Sequence, residues 1–302
     1  MKIDSRILQE IVNRIGAENV REHEEMAQHL SMRVGGPADY FMTPQTEEDA
    51  AFLVKLLNEN GIKYYIMGNG SNIIVRDAGF EGVMIQFLDN YNTAEIDGNL
   101  VRAKAGIKLK VLADMIMDRS LTGFEFASGI PGTLGGAVCM NAGAYDGEMK
   151  DVVREVKMLD KQGNILVLAN DEMVFSYRHS ICSSGDYVVL EALLELKPGN
   201  KEEIKAKTDD FTARRKDKQP LEYPSCGSTF KRPEGYFAGK LIMDAGLKGA
   251  SVGGASVSRK HCGFIINDNN ATATDVLGLI DLVKRTVKES QGVDLECEVK
   301  IL

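Results

Sequence analysis

The chain has 302 residues, 44% of them hydrophobic, and a formal net charge of −8 at neutral pH. That is enough for two or three domains with cores of their own, and the acidic balance argues against nucleic acid or an anionic membrane as the main partner. The five cysteines are scattered and form no C-x-x-C, which fits free thiols in a reducing cytoplasm. H-E-E-M-A at His23 lacks the second histidine of a zinc helix, so no metal site is expected.

The opening M-K-I-D-S-R-I-L-Q-E-I-V reads as an amphipathic helix, not as a basic region leading into an apolar one. T-E-E-D-A-A-F-L-V-K-L-L-N-E-N-G then sets Thr46 and Asp49 at capping-box spacing and stops at Gly61. Strand-like runs at 64–67, 82–87 and 100–103 follow, then a helix over 109–119, then further strand-like runs at 155–159, 165–168 and 187–196. Between them, residues 126–145 carry no charge, but Pro131, five glycines and the lack of a sustained aliphatic run exclude a membrane span. The charged segment 198–218, helical over 201–215, reads as a junction. In D-V-L-G-L-I-D-L-V-K-R-T-V-K-E-S-Q-G, residues Val276, Leu279, Ile280, Val283 and Val287 form one stripe that ends at Gly292. The pattern is mixed α+β with at least two lobes.

Two glycine-rich stretches carry the chemistry. Gly68, Asn69, Gly70, Ser71 and Asn72 follow an apolar run, and so small a polar turn exposes successive backbone N–H groups that can cradle a phosphate. It is not a Walker A loop, because no Gly-Lys-Ser/Thr closes it. It is not a dinucleotide fingerprint either: position 73 is Ile, and short β-like pieces follow where a long helix should open. The loop therefore sits between strands; by itself it could equally be a tight turn without a ligand. The second stretch, A-S-G-I-P-G-T-L-G-G-A-V-C-M-N-A-G-A-Y, would let a ligand lie flat on backbone, although a close-packed helix–strand corner uses the same residues. Together the two suggest one long ligand, with a pyrophosphate at the first and a flat ring system near the second.

These motifs, with R-V-G-G-P-A before them and S-Y-R-H-S, R-R-K-D-K-Q-P, C-G-S-T-F-K-R-P, A-G-K-L-I and L-E-C-E-V-K-I-L after them, resemble the UDP-N-acetylenolpyruvoylglucosamine reductases, or MurB enzymes, over nearly the whole chain from about residue 30. The resemblance implies an α+β, two-subdomain FAD-binding fold of the vanillyl-alcohol-oxidase (PCMH) type plus a carboxy-terminal α/β substrate domain. The expected division is 1–92 and 93–199 for FAD and 200–302 for substrate, in the subgroup without an extra tyrosine loop. It implies reduction of an enolpyruvyl ether to a lactyl ether in cell-wall synthesis, with non-covalent FAD and with NADPH as hydride donor. NADPH and the sugar nucleotide would use one cleft in turn, in a cytoplasmic enzyme with no obligatory protein partner.

Residue by residue, the resemblance makes Ser228 the proton donor, Arg178 the grip on the substrate carboxylate and Glu298 the group that stabilises the intermediate, best done as a protonated carboxyl. The strand-like alternation of V-D-L-E-C-E-V-K-I-L puts Glu296 and Glu298 on one face. Cys297 stands where the family commonly has Pro. For FAD the resemblance adds Ile130, Pro131, Gly132, Gly135, Gly136, Ala142 and Gly143 to the first loop. For substrate it adds Tyr177 beside Arg178 and Lys231 as a helper of Ser228, with Arg215, Gln219 and Lys240 for the UDP part. Two rivals remain. An oxidase of the same fold is disfavoured by the carboxy-terminal motifs, and a flavin-binding module without catalysis would not need Arg178, Ser228 and Glu298 together.

Overall fold

The computed structural model describes residues 3–302. They fall into two compact units, neither continuous in sequence. The first comprises the segment ending at Glu22, Asp39–Asn69 and Glu81–Arg214; the second comprises His23–Ala38, Gly70–Phe80 and Arg215–Leu302.

The first unit is built on a five-stranded antiparallel sheet in the order Ile165–Ala169, Val153–Leu159, Val188–Glu195, Leu100–Lys104, Ala94–Asp97. The central strand, V-V-L-E-A-L-L-E, is buried along all but its last residue. One of those buried residues is Glu191, so the sheet must neutralise a charge. Register sets Glu191 opposite Lys104 on one neighbour and Lys157 on the other. Lys104 Nζ lies 2.9 Å from Glu191 and 2.5 Å from Glu47, and Arg102 Nη1 lies 2.9 Å from Glu191. Lys157 Nζ completes the set 3.0 Å from Glu47.

The helices fall where the patterns predict: α1 Ser5–Ile15, α2 Glu47–Glu59 and α3 Leu109–Asp118. Thr46 caps α2 by accepting from the Asp49 N–H at 3.1 Å. A short α4, Leu134–Cys139, lies inside the second glycine-rich stretch, and α5, Lys201–Lys218, runs through the boundary after Arg214. Tyr64–Met67 pairs in parallel with Val83–Gln86, so the G-N-G-S-N loop leaves the end of a strand and, as expected, meets another at Ile73–Ile74.

The second unit packs α6, Ala238–Asp244, and α7, Ala273–Gln291, with a three-stranded antiparallel sheet, Ser251–Val252, Ala255–Val257 and Ile265–Asn267. The predicted stripe of α7 is buried in a separate core, and the helix stops at Gly292 with φ +74°.

Segments distant in sequence join this unit because glycines permit backbone contact. A Cβ on Gly36 would stand 2.1 Å from the Asp77 carbonyl oxygen, and one on Gly79 would stand 2.0 Å from that of Pro37. Asp77 then anchors α7: its carboxylate accepts from the Ala273 and Thr274 N–H groups at 2.8 Å each and from the Thr274 hydroxyl at 2.6 Å. Burial alone would push this carboxyl up, but those bonds outweigh it and hold it below the usual range. The chain ends in a parallel pairing of Lys300–Ile301 with Ile73–Ile74.

Candidate active site

In the first unit the two glycine-rich stretches meet. A Cβ on Gly68 would lie 2.1 Å from Thr133 Oγ1, and Asn69 Nδ2 donates to the Pro131 carbonyl at 2.9 Å. The I-P-G-T-L-G backbone is laid along residues 105–109. Leu109 N–H donates to the Gly132 carbonyl at 3.0 Å, and Leu134 and Gly135 N–H donate to the carbonyls of Ile107 and Ala105 at 2.9 and 2.8 Å. At Gly135 a Cβ would come within 2.8 Å of the Ala105 Cβ, whereas at Gly136 nothing lies closer than 3.7 Å. Gly68 and Gly135 are thus demanded by packing. Gly136 is not, and at the exposed start of α4 it leaves backbone open to a ligand.

Arg178 stands on a two-residue turn whose flanks, Ser176 and His179, exchange both backbone hydrogen bonds at 3.1 Å. Its φ of +55° is unusual for a residue with a Cβ. Its Nη2 donates to the Gly143 carbonyl at 3.5 Å, and its guanidinium lies 5.1 Å from the centre of the exposed Tyr177 ring. Asn141 makes this possible, and sequence reasoning missed it. Buried completely, it donates to the Ser176 carbonyl at 3.1 Å and to Glu148 at 2.8 Å, and accepts from the Lys150 N–H at 2.9 Å. That ties the Arg178 turn to the stretch holding Ala142 and Gly143. The available signal was a lone Asn inside an apolar, glycine-rich run, where a buried amide must find partners.

In the second unit Gly70 has φ +60°, and a Cβ there would stand 2.1 Å from the His29 carbonyl oxygen. Among the described residues, no backbone carbonyl accepts from the N–H groups of Gly70, Ser71 or Asn72, as an anion-binding turn requires. Ser228 is exposed and follows Gly227, whose φ is +72°. Thr229, beside it, is buried: its N–H donates to the Gly263 carbonyl at 2.9 Å, its Oγ1 accepts from the Ile265 N–H at 3.2 Å, and its carbonyl accepts from the Glu298 N–H at 2.9 Å. A bridge between Phe230 and Cys297 and a 2.8 Å bond from the Lys231 N–H to the Glu296 carbonyl continue the pairing. The chain thereby sets Ser228 beside the segment that carries Glu298.

The other candidates are more dispersed. Lys231 is ion-paired with Glu296, and Lys240 with Asp244 at 2.7 Å along α6. Arg215 is half-buried in the last turn of α5, its carbonyl accepting the Gln219 N–H at 2.8 Å. Cys226 is buried and donates to the Ile73 carbonyl at 3.4 Å; burial pushes its thiol up to about 12.

Comparison with known proteins names the family. The model of the UDP-N-acetylenolpyruvoylglucosamine reductase C-terminal domain matches residues 219–302, and that of an FAD binding domain matches residues 38–169. The reductase of that name from Clostridioides difficile (strain 630) is 52% identical over 292 residues, which is 97% of this chain and 96% of its own. The chain belongs to the UDP-N-acetylenolpyruvoylglucosamine reductase family. The crystal structure of the Thermus caldophilus reductase, 35% identical, superposes with a TM-score of 0.81 over 93% of this chain and 99% of that one. The glucose dehydrogenase Phl p 4.0202, only 14% identical, shares the fold over 65% of this chain and 45% of its own, with a TM-score of 0.52. The fold is therefore the FAD-binding fold expected from the resemblance, with the family's carboxy-terminal domain. Among the described residues no helix is long and apolar enough to cross a membrane, and no cluster of three or more His, Cys, Asp or Glu could hold a metal ion.

Proposed function

We infer that this protein reduces UDP-N-acetylglucosamine enolpyruvate to UDP-N-acetylmuramate, a step of peptidoglycan synthesis, with FAD as bound cofactor and NADPH as hydride donor. The observation that carries the reading is the bond from the Glu298 N–H to the Thr229 carbonyl, which sets the proposed proton donor beside the proposed stabilising carboxyl. Each unit offers backbone suited to part of FAD: in the second, Gly70, Ser71 and Asn72 have N–H groups for phosphates, and in the first, the chain around Gly136 leaves room for a flat ring. When bound, FAD carries hydride between NADPH and the substrate.

The protein's own part is proton delivery and charge stabilisation. Hydride arriving at the terminal methylene carbon leaves negative charge on the adjacent carbon, from which it spreads onto the substrate carboxylate. Ser228 then gives its hydroxyl proton to that adjacent carbon, which removes the charge, and its oxygen is reprotonated from solvent. A protonated Glu298 can donate a hydrogen bond to the substrate carboxylate, which an ionised one cannot, and Arg178 offers a planar fork matched to two carboxylate oxygens. We assign Tyr177, Arg215, Gln219, Lys231 and Lys240 to the sugar nucleotide, and we keep the 1–92, 93–199 and 200–302 division, the subgroup without a tyrosine loop, one cleft used in turn, and a cytoplasmic location without an obligatory protein partner.

The test is NADPH oxidation by the FAD-loaded protein, followed with and without the enolpyruvyl sugar nucleotide. Oxidation that requires the sugar nucleotide and yields the lactyl ether is expected. Equal rates without it would leave the fold intact and remove the substrate assignment.

A further inference from the structure

We propose that Asn72 is a positioning residue that couples occupation of the phosphate loop to the placement of Glu298. The inference rests on the assignment of Glu298 made above. Both backbone polar groups of Glu298 are held, and by different segments. Its N–H is fixed by the Thr229 carbonyl at 2.9 Å, next to Ser228. Its carbonyl is fixed by Asn72 Nδ2 at 3.2 Å. Asn72 holds the same strand a second time, its own carbonyl accepting the Lys300 N–H at 3.0 Å.

Beyond Asn72 the two chains continue as a parallel pair, Ile73 with Lys300 and Ile74 with Ile301, closed by Leu302 N–H on the Ile74 carbonyl at 2.9 Å. Glu298 lies before that pairing begins, and a side-chain amide holds it there. Only the NH₂ end of the amide can bond a carbonyl, so the orientation is set by the partner. The other end of the loop is equally constrained, because Gly70 is seated against the His29 carbonyl and its own carbonyl accepts from the Ser31 N–H at 3.1 Å. An anion gathered on the N–H groups of Gly70 to Asn72 fixes the Asn72 backbone. The Asn72 amide then fixes the peptide plane from which the Glu298 side chain projects.

Hydrogen exchange with FAD alone tests the coupling without reference to the sugar nucleotide. In the wild-type chain FAD should slow exchange in residues 296–302 about tenfold, and in Asn72→Ala, at FAD concentrations that saturate the variant, less than about twofold. Equal protection in both, or none in the wild type, overturns the proposal. The second variant is Asn72→Asp, whose carboxylate cannot donate to a carbonyl but whose protonated form can. Relative to wild type, oxidation of its reduced flavin by the enolpyruvyl substrate should recover about fivefold from pH 6 to pH 4, as the carboxyl protonates near its ordinary value of about 3.9. A ratio flat across that range overturns the proposal, as does a variant whose NADPH and substrate half-reactions slow in equal measure. If the protein fails to turn over that substrate, the exchange experiment still decides the coupling, so failure of the proposal and failure of the substrate assignment remain distinct.

Discussion

Glu191 in the first unit and Glu298 in the second are both glutamates on paired chain segments, and the bonds that place them run through different atoms. Glu191 is gripped through its carboxylate by Arg102 and Lys104, and the same lysine joins it to Glu47. Burial by itself would push the Glu191 carboxyl up, but the hydrogen bonds from Lys104 and Arg102 outweigh it and keep it ionised below the usual range. Glu298 is gripped through its main chain, by Thr229 on one side and Asn72 on the other. A carboxylate between cations cannot carry a proton at neutral pH. Backbone bonds such as those of Glu298 hold a residue in place whatever the protonation state of its carboxyl. The first arrangement suits stability and the second suits chemistry.

The comparison predicts opposite outcomes from substituting the two glutamates. Glu298→Ala should lower turnover about 10² to 10³-fold, as loss of a charge-stabilising donor does elsewhere, with the melting temperature kept. Ser228→Ala should cost about 10² to 10⁴-fold, confined to the substrate half-reaction. Stopped-flow traces of flavin absorbance separate the two halves. If Ser228→Ala slows reduction by NADPH as much as oxidation by substrate, its role as proton donor falls.

A similar contrast applies to the glycines. Gly68→Ala puts a Cβ 2.1 Å from Thr133 Oγ1 and should destabilise the first unit by about 1–3 kcal/mol. Gly136→Ala meets nothing within 3.7 Å and, in a helix, should hold or raise the melting temperature. Both should weaken FAD binding in a titration of flavin fluorescence. A Gly136→Ala variant that binds FAD like wild type would mean that Gly136 does not face the cofactor.

The periodic elements were legible from the sequence because their causes are local. The α2 cap, the α7 stripe and the strand at Tyr64–Met67 depend on residues a few positions apart. The placement of the G-N-G-S-N loop between strands was legible for the same reason. The grouping of residues 23–38 and 70–80 with the carboxy-terminal core was not. It depends on Gly36 touching the Asp77 carbonyl and on Asp77 capping a helix 196 positions downstream, and no local pattern encodes either contact. The site divides in the same way. Ser228, Arg178 and Glu298 could be named by motif, but Asn141 and Thr229, which hold them, are ordinary polar residues whose importance comes from burial. The Lys231–Glu296 pair likewise joins segments far apart in sequence, whereas Lys240–Asp244 follows from spacing along one helix.

Glu191→Gln completes the first comparison. It should destabilise the protein by about 1.5 kcal/mol by weakening charged hydrogen bonds, with turnover per folded molecule retained. The sign of the pH dependence follows from the depressed carboxyls of Glu191 and Glu47, the latter held low by Lys104 and Lys157 against the opposing effect of burial. Their stabilising contribution is fully present above the ordinary carboxyl range near pH 4.5 and is lost as pH falls through their lower folded values. Urea titrations from pH 7 downward should therefore show a smaller acid loss in Glu191→Gln than in wild type. An equal loss would mean that the network contributes nothing to the pH dependence.

The smallest effect is expected at Cys226, two positions before Ser228, where oxidation would otherwise be a natural route to inhibition. Reactivity belongs to the thiolate, and here burial raises the thiol from its ordinary value to about 12 while its proton is committed to the Ile73 carbonyl. At pH 7 to 9 almost no thiolate forms, and the sulfur is closed off from solvent. Iodoacetamide labelling of the folded protein, read by mass spectrometry of the peptide containing Cys226, should therefore show a rate that is slow, still climbing about tenfold per pH unit up to pH 9, and accelerated by denaturant. A fast rate that levels off between about pH 8 and pH 9 in the native state would mean that the thiol is open to solvent with an ordinary pKa. The segment preceding Ser228 would then be looser than its bond to the Ile73 carbonyl implies.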